Sequence, residues 1–166
     1  MVIGHISRDL APDGTYRAGG TATYSALTAH RLGLRVGVVT SANSDAPFFQ
    51  DEPSIAVHCQ PAEHTTSFRN VYLPGGRRQY LHGVAGSLSV ADLPPEWDRA
   101  PIVHLGPVAQ EVDPALAEVF PSALLGVTPQ GWLRRWDGQG RVWPVEWEQA
   151  ERVLGVADVV VLSLDD

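Results

Sequence analysis

The sequence predicts an α/β protein built around a parallel sheet. Residues 2–40 contain a short apolar strand, a helical segment and a second apolar strand. A strand–helix–strand unit of this kind pairs its strands in parallel through a right-handed crossover. The alternation returns after residue 100, with apolar runs at 102–105, 124–127 and 158–162. The 166 residues are enough for one domain, 1–166, with a substantial core.

The first unit is defined by its apolar pattern and its glycines. Residues 1–6 predict a buried strand, and residues 20–32 predict a helix with small or apolar side chains on one face. Gly33 follows the helix as its C′ residue, where a left-handed backbone favours glycine. The run RVGVVT at 35–40 predicts a second buried strand.

The middle of the chain has a different character. The runs TTSFRNVYL (65–73) and RRQYL (77–81) are rich in β-forming residues and are joined by a Pro-Gly-Gly segment. This pattern predicts a β-hairpin over 65–83. Its mixture of polar and aromatic residues indicates a sheet with one face in water.

Two helices and a last strand complete the prediction. Asp113 is a plausible N-cap for a helix over 114–120, and Pro144 opens a helix over 144–154. The run DVVVL at 158–162 is typical of a central parallel strand buried on both faces. Because the chain stops shortly after it, we expect the N-terminal part of a longer protein. The alternative is an edge strand that ends the fold.

Composition excludes several function classes. Lys and Arg number 12 against 19 Asp and Glu, a net charge of −7, whereas nucleic-acid and anionic-membrane binders need a basic face. The single cysteine, Cys59, cannot form an internal disulfide and suggests a reducing compartment. No apolar run approaches the roughly 18 residues of a membrane span, and no signal peptide precedes the first strand. These observations predict a cytoplasmic protein without nucleic-acid or membrane partners.

Two short motifs carry the candidate site. GHISRD (4–9) places a carboxylate after the first strand, and AGG (18–20) directly precedes the first helix. In α/β proteins both positions lie at the sheet edge where small ligands bind. A carboxylate there accepts hydrogen bonds from ligand hydroxyls, while glycines allow the ligand to approach the backbone. Phosphate-loop, dinucleotide, metal-ligand and nucleophile-elbow motifs are absent from the sequence.

Taken together, these motifs resemble the ribokinase-like (PfkB) family of carbohydrate and nucleoside kinases. The resemblance implies a Rossmann-like parallel-sheet sandwich, a small β-lid formed by the hairpin at 65–83, and a chain that lacks the C-terminal half. It implies ATP and Mg²⁺ as cofactors and a sugar or nucleoside as substrate. The substrate-binding positions that it implies are Asp9, Gly19, Gly20, Tyr24, Asn70 and Arg78.

Some positions depart from the family pattern. Tyr24 stands where the family has a sugar-binding asparagine, and Asn43 and Phe48 stand where it has glycines. The segment SLDD (163–166) replaces Asn-x-x-Glu, so that Asp166 keeps the acidic function as an outer-shell magnesium residue. The family's Gly-Ala-Gly-Asp motif, with its catalytic base, has no match here and is expected downstream of residue 166. The chain alone is therefore predicted to be inactive.

Several functions remain open from the sequence. The first is the acceptor-binding part of a kinase that phosphorylates an alcohol of a polyol-like substrate. The second is a sugar- or nucleoside-binding relative that lacks phosphotransfer. A dehydrogenase-type domain is disfavoured by the missing dinucleotide fingerprint, and a scaffold whose glycine pair is only a turn is the simplest alternative. The family's lid contacts also suggest a homodimer, for which Tyr72 and Tyr80 on the hairpin are suited.

Overall fold

The computed structural model describes residues 1–46 and 49–163. In chain order its strands are β1 (Val2–Ile3), β2 (Ser7–Leu10), β3 (Tyr16–Gly19), β4 (Gly37–Ala42), β5 (Ala56–Pro61), β6 (Ser67–Leu73), β7 (Gly76–Gly83), β8 (Ile102–Leu105), β9 (Leu124–Val127), β10 (Arg134–Trp136), β11 (Val142–Pro144) and β12 (Val159–Val160). The α-helices are α1 (Thr21–Arg31) and α2 (Ala150–Leu154). Short 3₁₀ helices span Val90–Asp92, Pro95–Trp97, Pro114–Glu118 and Pro129–Gly131.

The main sheet has six strands in the order β12-β9-β8-β1-β4-β5, and every neighbouring pair is parallel. This confirms the predicted fold class. The predicted strands at 102–105 and 124–127 have the observed bounds, and the one at 35–40 lies at Gly37–Ala42. Strand β5 was not predicted, because its sequence AVHCQP carries three polar or sulfur-bearing residues in a row without alternation.

A separate four-stranded sheet forms the lid, in the order β3-β2-β6-β7. The predicted hairpin at 65–83 corresponds to the antiparallel pair β6–β7. The lid also contains β2 and β3, two strands that the sequence did not predict. The chain leaves the main sheet after Ile3, turns at Gly4 and enters the lid at Ser7, so the predicted strand over 1–6 is too long.

The core lies on both faces of the main sheet. On one face, Ala22 and Ala26 of α1 pack against Val2 and Val38, and these small side chains bring the helix close to the strands. On the other face, Leu116 and its neighbours cover a larger cluster, which includes buried side chains from β1, β4, β8, β9 and α2. Helix α1 follows its predicted span closely, and Gly33 beyond its end has the expected left-handed backbone, with φ of 85°.

Two predicted elements near the end of the chain need correction. The helix predicted over 144–154 forms only as α2, because Pro144 lies in β11 of a small antiparallel hairpin with β10. The strand predicted over 158–162 is shorter, Val159–Val160, and is the outermost strand of the sheet within the described residues, where Val159 is 46% and Val161 60% exposed. A run of valines indicates that a strand is apolar without indicating what covers it. Asp113 caps its short helix as predicted, accepting a hydrogen bond from the Ala115 amide.

Candidate functional site

A cavity of about 230 Å³ lies between the lid and the edge of the main sheet, and we call it the lid cavity. Its wall includes residues from the loops that follow β8 and β9, so it lies at the carboxyl ends of the parallel strands. This is the edge where α/β folds bind ligands. The lining residues are Ser7, Asp9, Gly20, Thr21, Tyr24, Phe68, Asn70, Arg77, Gln79, Val108, Gln130 and Arg134.

Asp9 is the one carboxylate among these lining residues. It lies on β2, opposite Phe68 of β6, and is half-buried. Burial raises the pKa of Asp9 above its usual value, against the opposing effect of the Arg77 and Arg134 guanidinium groups. No residue of the described chain donates a hydrogen bond to this carboxylate. Its acceptor capacity therefore faces the lid cavity, where a ligand hydroxyl can use it.

The glycine pair lies beside this carboxylate. A Cβ atom on Gly19 would lie 2.6 Å from Asp9 Oδ2, and one on Gly20 would lie 2.5 Å from the His5 carbonyl oxygen. The structure thus brings Asp9 and Gly20 to the same cavity, as the sequence analysis expected. The pair serves a second purpose as well, since it admits the close packing of β3 and α1 against the His5–Asp9 segment.

We expect Gly20→Ala to destabilise the protein more than Gly33→Ala. Both glycines have a left-handed backbone, with φ of 89° and 85°. That conformation alone costs an alanine about 1–2 kcal/mol. Position 33 has open space for the methyl group, whereas at position 20 the methyl meets the His5 carbonyl and the Ser7 amide. Chemical denaturation of both variants measures the difference, and equal losses would contradict the close packing described here.

The structure places the other predicted positions as follows. Tyr24 lines the rim of the lid cavity from α1, is 59% exposed, and its hydroxyl donates to the Ala18 carbonyl at 3.3 Å. Asn70 lines the lid cavity from β6, where its Oδ1 accepts a hydrogen bond from Gln79 Nε2 at 3.1 Å. This bond fixes the two amides relative to each other. Asp166 and Phe48 lie outside the described residues.

The structure corrects the prediction that Arg78 lines the substrate-binding site. Side chains alternate along a strand, and β7 directs Arg77 and Gln79 to the lid cavity, so Arg78 belongs to the opposite face of the lid. The pairing confirms this, because Gln79 lies opposite Asn70 while Arg78 lies opposite Val71. The arginine of this hairpin that lines the lid cavity is therefore Arg77.

Sequence analysis also missed several lining residues: Ser7, Thr21, Gln79, Val108, Gln130 and Arg134. The sequence contains an indication for one of these residues, Gln130. Gln130 follows shortly after β9, at the carboxyl end of a strand that had been predicted with its observed bounds. Arg134 begins β10, whose pairing with β11 the predicted helix over 144–154 had hidden.

The wall of the lid cavity is held by a buried polar cluster that the sequence did not reveal. Glu111, 3% exposed, accepts hydrogen bonds from the amides of His5, Val108 and Ala109 at 2.7–3.0 Å. His5 Nε2 lies 2.8 Å from the Gly86 carbonyl, which only accepts, so Nε2 carries a proton. Nδ1 then accepts from the Thr66 hydroxyl at 2.7 Å. The cluster ties the first loop to the loop after β8.

Four other cavities are larger than the lid cavity, and two of them are the most voluminous. One, of about 450 Å³, lies beside the stacked rings of Trp132 and Trp147, whose centroids are 5.2 Å apart. The other, of about 670 Å³, follows the apolar face of β8 and β9. None of the four larger cavities is lined by Asp9 or Gly20, so the lid cavity is the candidate site. No described helix is long and apolar enough to cross a membrane.

No family model and no curated protein matches the chain, but solved structures do. A pyrophosphate-dependent kinase in the ribokinase family, determined as a sulfate complex, is 25% identical with a TM-score of 0.80. The match covers 96% of this chain and 60% of that one. A pyrophosphate-dependent kinase of the same family, complexed with a pyrophosphate analogue and myo-inositol, is also 25% identical with a TM-score of 0.80, covering 96% and 59%.

A third structure, an uncharacterised sugar kinase from Pyrococcus horikoshii, shares the fold at 18% identity, with a TM-score of 0.67 and coverage of 96% and 60%. A parallel sheet with a separate four-stranded β-lid is the architecture that these solved structures share. The chain has the ribokinase-like α/β fold. It spans about 60% of the length of these kinases.

Proposed function

We propose that the lid cavity binds the acceptor of a phosphoryl transfer, a sugar or nucleoside with several hydroxyl groups. The observation that carries this proposal is the Asp9 carboxylate, half-buried at the carboxyl edge of the sheet and without a protein hydrogen-bond donor in the described chain. An ionised carboxylate that accepts from two neighbouring hydroxyls makes two strong, directional bonds. The kinase fold of the chain supports this role.

The other lining groups have complementary tasks. The Asn70–Gln79 pair supplies amides that distinguish hydroxyl positions, and Gly20 lets the acceptor approach the backbone. The lid strands cover the acceptor from above, and a covered site excludes water that would otherwise accept the phosphoryl group. Tyr24 at the rim takes the place of the family's asparagine, so we propose a different contact pattern on that side of the acceptor.

The transfer itself follows from the chemistry of the class. The acceptor hydroxyl oxygen forms a bond to the terminal phosphorus of the donor, the bond from that phosphorus to its bridging oxygen breaks, and the hydroxyl proton passes to a base. We propose ATP as the donor, and pyrophosphate is the alternative that the similar kinases favour. No base is assigned within the described residues.

The described residues do not form a metal site. No group of three or more His, Cys, Asp or Glu side chains in residues 1–46 and 49–163 is placed to hold a metal ion. The Mg²⁺ role of Asp166 therefore stays a prediction, and no step is assigned to the metal here.

A homodimer through the lid also stays a prediction; Tyr72 is exposed there, while Tyr80 is partly buried.

Two assays test the proposal. Thermal-shift and calorimetric titrations with D-ribose, D-glucose, myo-inositol and adenosine are expected to show saturable binding of at least one of them. Incubation of that compound with the chain and either ATP or pyrophosphate is expected to give no phosphorylated product. Turnover above background would contradict the predicted inactivity of the 166-residue chain. Binding by a longer form without turnover would favour the non-catalytic relative.

A further inference from the structure

The four strands of the lid all join the rest of the chain at one end of the lid sheet. The pairing places Ser7, where β2 begins, opposite Gly19, where β3 ends. It also places Ser67, where β6 begins, opposite Gly83, where β7 ends. We call these four strand ends the hinge row. Because the other ends of the strands carry only the two turns within the lid, the lid can rotate about the hinge row as one body.

The hairpin of β10 and β11 is a second attachment of the lid, and it lies beside the outer strand β7. The Leu81 amide of β7 donates a hydrogen bond to the Gly140 carbonyl at 2.7 Å. The adjacent residues Tyr80 and Arg141 form an antiparallel β-bridge. Since β7 is an edge strand of the lid sheet, the hairpin pairs with backbone groups that an edge strand otherwise presents to solvent.

An apolar cluster reinforces this second attachment. Phe68 and Leu81 of the lid are buried together with Val108 and Ala109 of the loop after β8, and Val142 of β11 packs against them. Phe68 and Val108 also line the lid cavity. Rotation of the lid away from the main sheet would separate these side chains and expose them to water, so the hydrophobic effect opposes opening.

The base of the hairpin is fixed in the core that packs on the main sheet. Trp132, 6% exposed, precedes β10 and belongs to that core cluster. Its indole N–H donates a hydrogen bond to the Val112 carbonyl at 2.8 Å. The Val145 amide, just after β11, donates to the Leu133 carbonyl at 2.9 Å and closes the hairpin at its base. The hairpin therefore stays with the main sheet when the lid rotates.

From these contacts we propose that the β10–β11 hairpin is a brace that holds the lid closed, and that the lid cavity opens to a ligand when β7 separates from this hairpin. Opening breaks the hydrogen bond between Leu81 and Gly140 and exposes the apolar cluster, while the hinge row stays intact. The brace controls how a ligand enters and leaves the cavity, whichever compound the cavity binds. The inference therefore goes beyond the proposed function.

The brace contacts the lid close to the hinge row. Leu81 lies about 7 Å along the strand from Gly83, whereas Gly76 at the far end of β7 lies about 23 Å from it. Because the lid rotates as one body, a separation at Leu81 becomes a displacement roughly three times as large at Gly76. Loss of a short-range contact at the brace is thus enough to uncover the cavity.

The test measures access to the lid cavity without any ligand. Val108 lines the cavity and is 3% exposed, so a thiol at this position reacts with a reagent when the lid opens. The parent for the test is the 166-residue chain with Val108→Cys and Cys59→Ser, because the second substitution removes the one natural thiol. The rate of modification by N-ethylmaleimide, followed by mass spectrometry, reports how readily the lid opens.

Gly140→Ala in this parent is expected to raise the modification rate by about tenfold or more, because closure loses a hydrogen bond and part of its apolar contact. Gly140 has φ of 78°, and a Cβ there would overlap the Leu81 carbonyl oxygen, so the alanine displaces the hairpin from β7. Val142→Ala is a second variant that leaves the backbone unchanged. It should raise the rate by about threefold or more, since the truncation removes packing on the apolar cluster.

Two other glycines provide matched controls. Gly138 lies in the same turn of the hairpin and has open space for a methyl group. Gly33 has a left-handed backbone like that of Gly140, also with open space, and lies outside the lid. Gly138→Ala and Gly33→Ala should each leave the modification rate within about twofold of the parent. Urea denaturation of every variant measures the change in the free energy of unfolding for comparison.

An unchanged modification rate in Gly140→Ala would overturn the inference, and so would an unchanged rate in Val142→Ala if Gly140→Ala does not fold. An equal rise in Gly33→Ala would also overturn it, because unfolding of the whole protein would then explain the access. The assay contains no sugar, so its failure leaves the proposed acceptor site standing. If no sugar binds but the rates change as expected, the proposed function fails and the brace remains.

Discussion

The substitution Glu111→Gln is expected to lower the free energy of unfolding by about 2–4 kcal/mol. The Glu111 carboxylate accepts hydrogen bonds from three backbone amides, those of His5, Val108 and Ala109, and almost none of the residue is exposed. A glutamine at this position must direct its NH₂ group at one or more of these N–H donors. Each amide that loses its acceptor is then buried without a partner, which is costly.

Urea denaturation followed by circular dichroism measures this loss. Glu63→Gln is the control, because its side chain is 89% exposed and makes only a 3.7 Å contact with His64, so its removal should change stability little. If Glu111→Gln were as stable as Glu63→Gln, the three amides would have other acceptors. We also expect Glu111→Gln to weaken ligand binding, because Val108 lines the lid cavity.

The elements predicted well are those with strong local signals. Residues 102–105 and 124–127 are largely apolar runs, the first flanked by Pro101 and Gly106 and the second followed by Thr128, and their observed bounds match. Helix α1 has a glycine before it, another after it and small residues on one face. Such signals depend on neighbours in sequence, so a single sequence suffices to read them.

The lid strands β2 and β3 lack such signals. Their sequences, SRDL and YRAG, are short, polar and contain no β-branched residue. They are strands because β2 pairs with β6, nearly sixty positions away, and β3 then pairs with β2. Pairing between segments that are distant in sequence overrides a weak local preference for the β conformation. Neither segment alone indicates which strand it pairs with.

The candidate site, like the fold, was predictable from the sequence only in part. Asp9 and Gly20 follow from the rule that ligands bind at the carboxyl edge of a parallel sheet. The choice between Arg77 and Arg78 depends on the register of β7 against β6, and a shift of one residue exchanges the two faces. The role of Glu111 depends on three amides from two loops, which no spacing in the sequence indicates.

The substitution Asp9→Asn is expected to weaken binding of the preferred sugar by roughly 100-fold, since hydrogen bonds to a charged group each contribute about 1.5–3 kcal/mol. It should not destabilise the free protein. Burial raises the folded-state pKa of Asp9, so its ionised form is disfavoured by folding, and the amide removes that cost. Calorimetric titration and thermal unfolding of the same sample measure both effects.

The pH dependence of the free energy of unfolding tests the role of Asp9 independently. A carboxyl whose pKa is raised by folding contributes stability that is present at low pH and is lost as the pH rises through the folded-state pKa. The stability of Asp9→Asn relative to wild type should therefore increase with pH over that range, while wild-type sugar binding increases over the same range as the carboxylate forms. A structural carboxylate would behave in the opposite way: its replacement would destabilise the protein most at neutral pH, where its hydrogen bonds are complete. If Asp9→Asn unfolds more easily than wild type at neutral pH and binds sugar normally, Asp9 supports the lid and does not bind the acceptor.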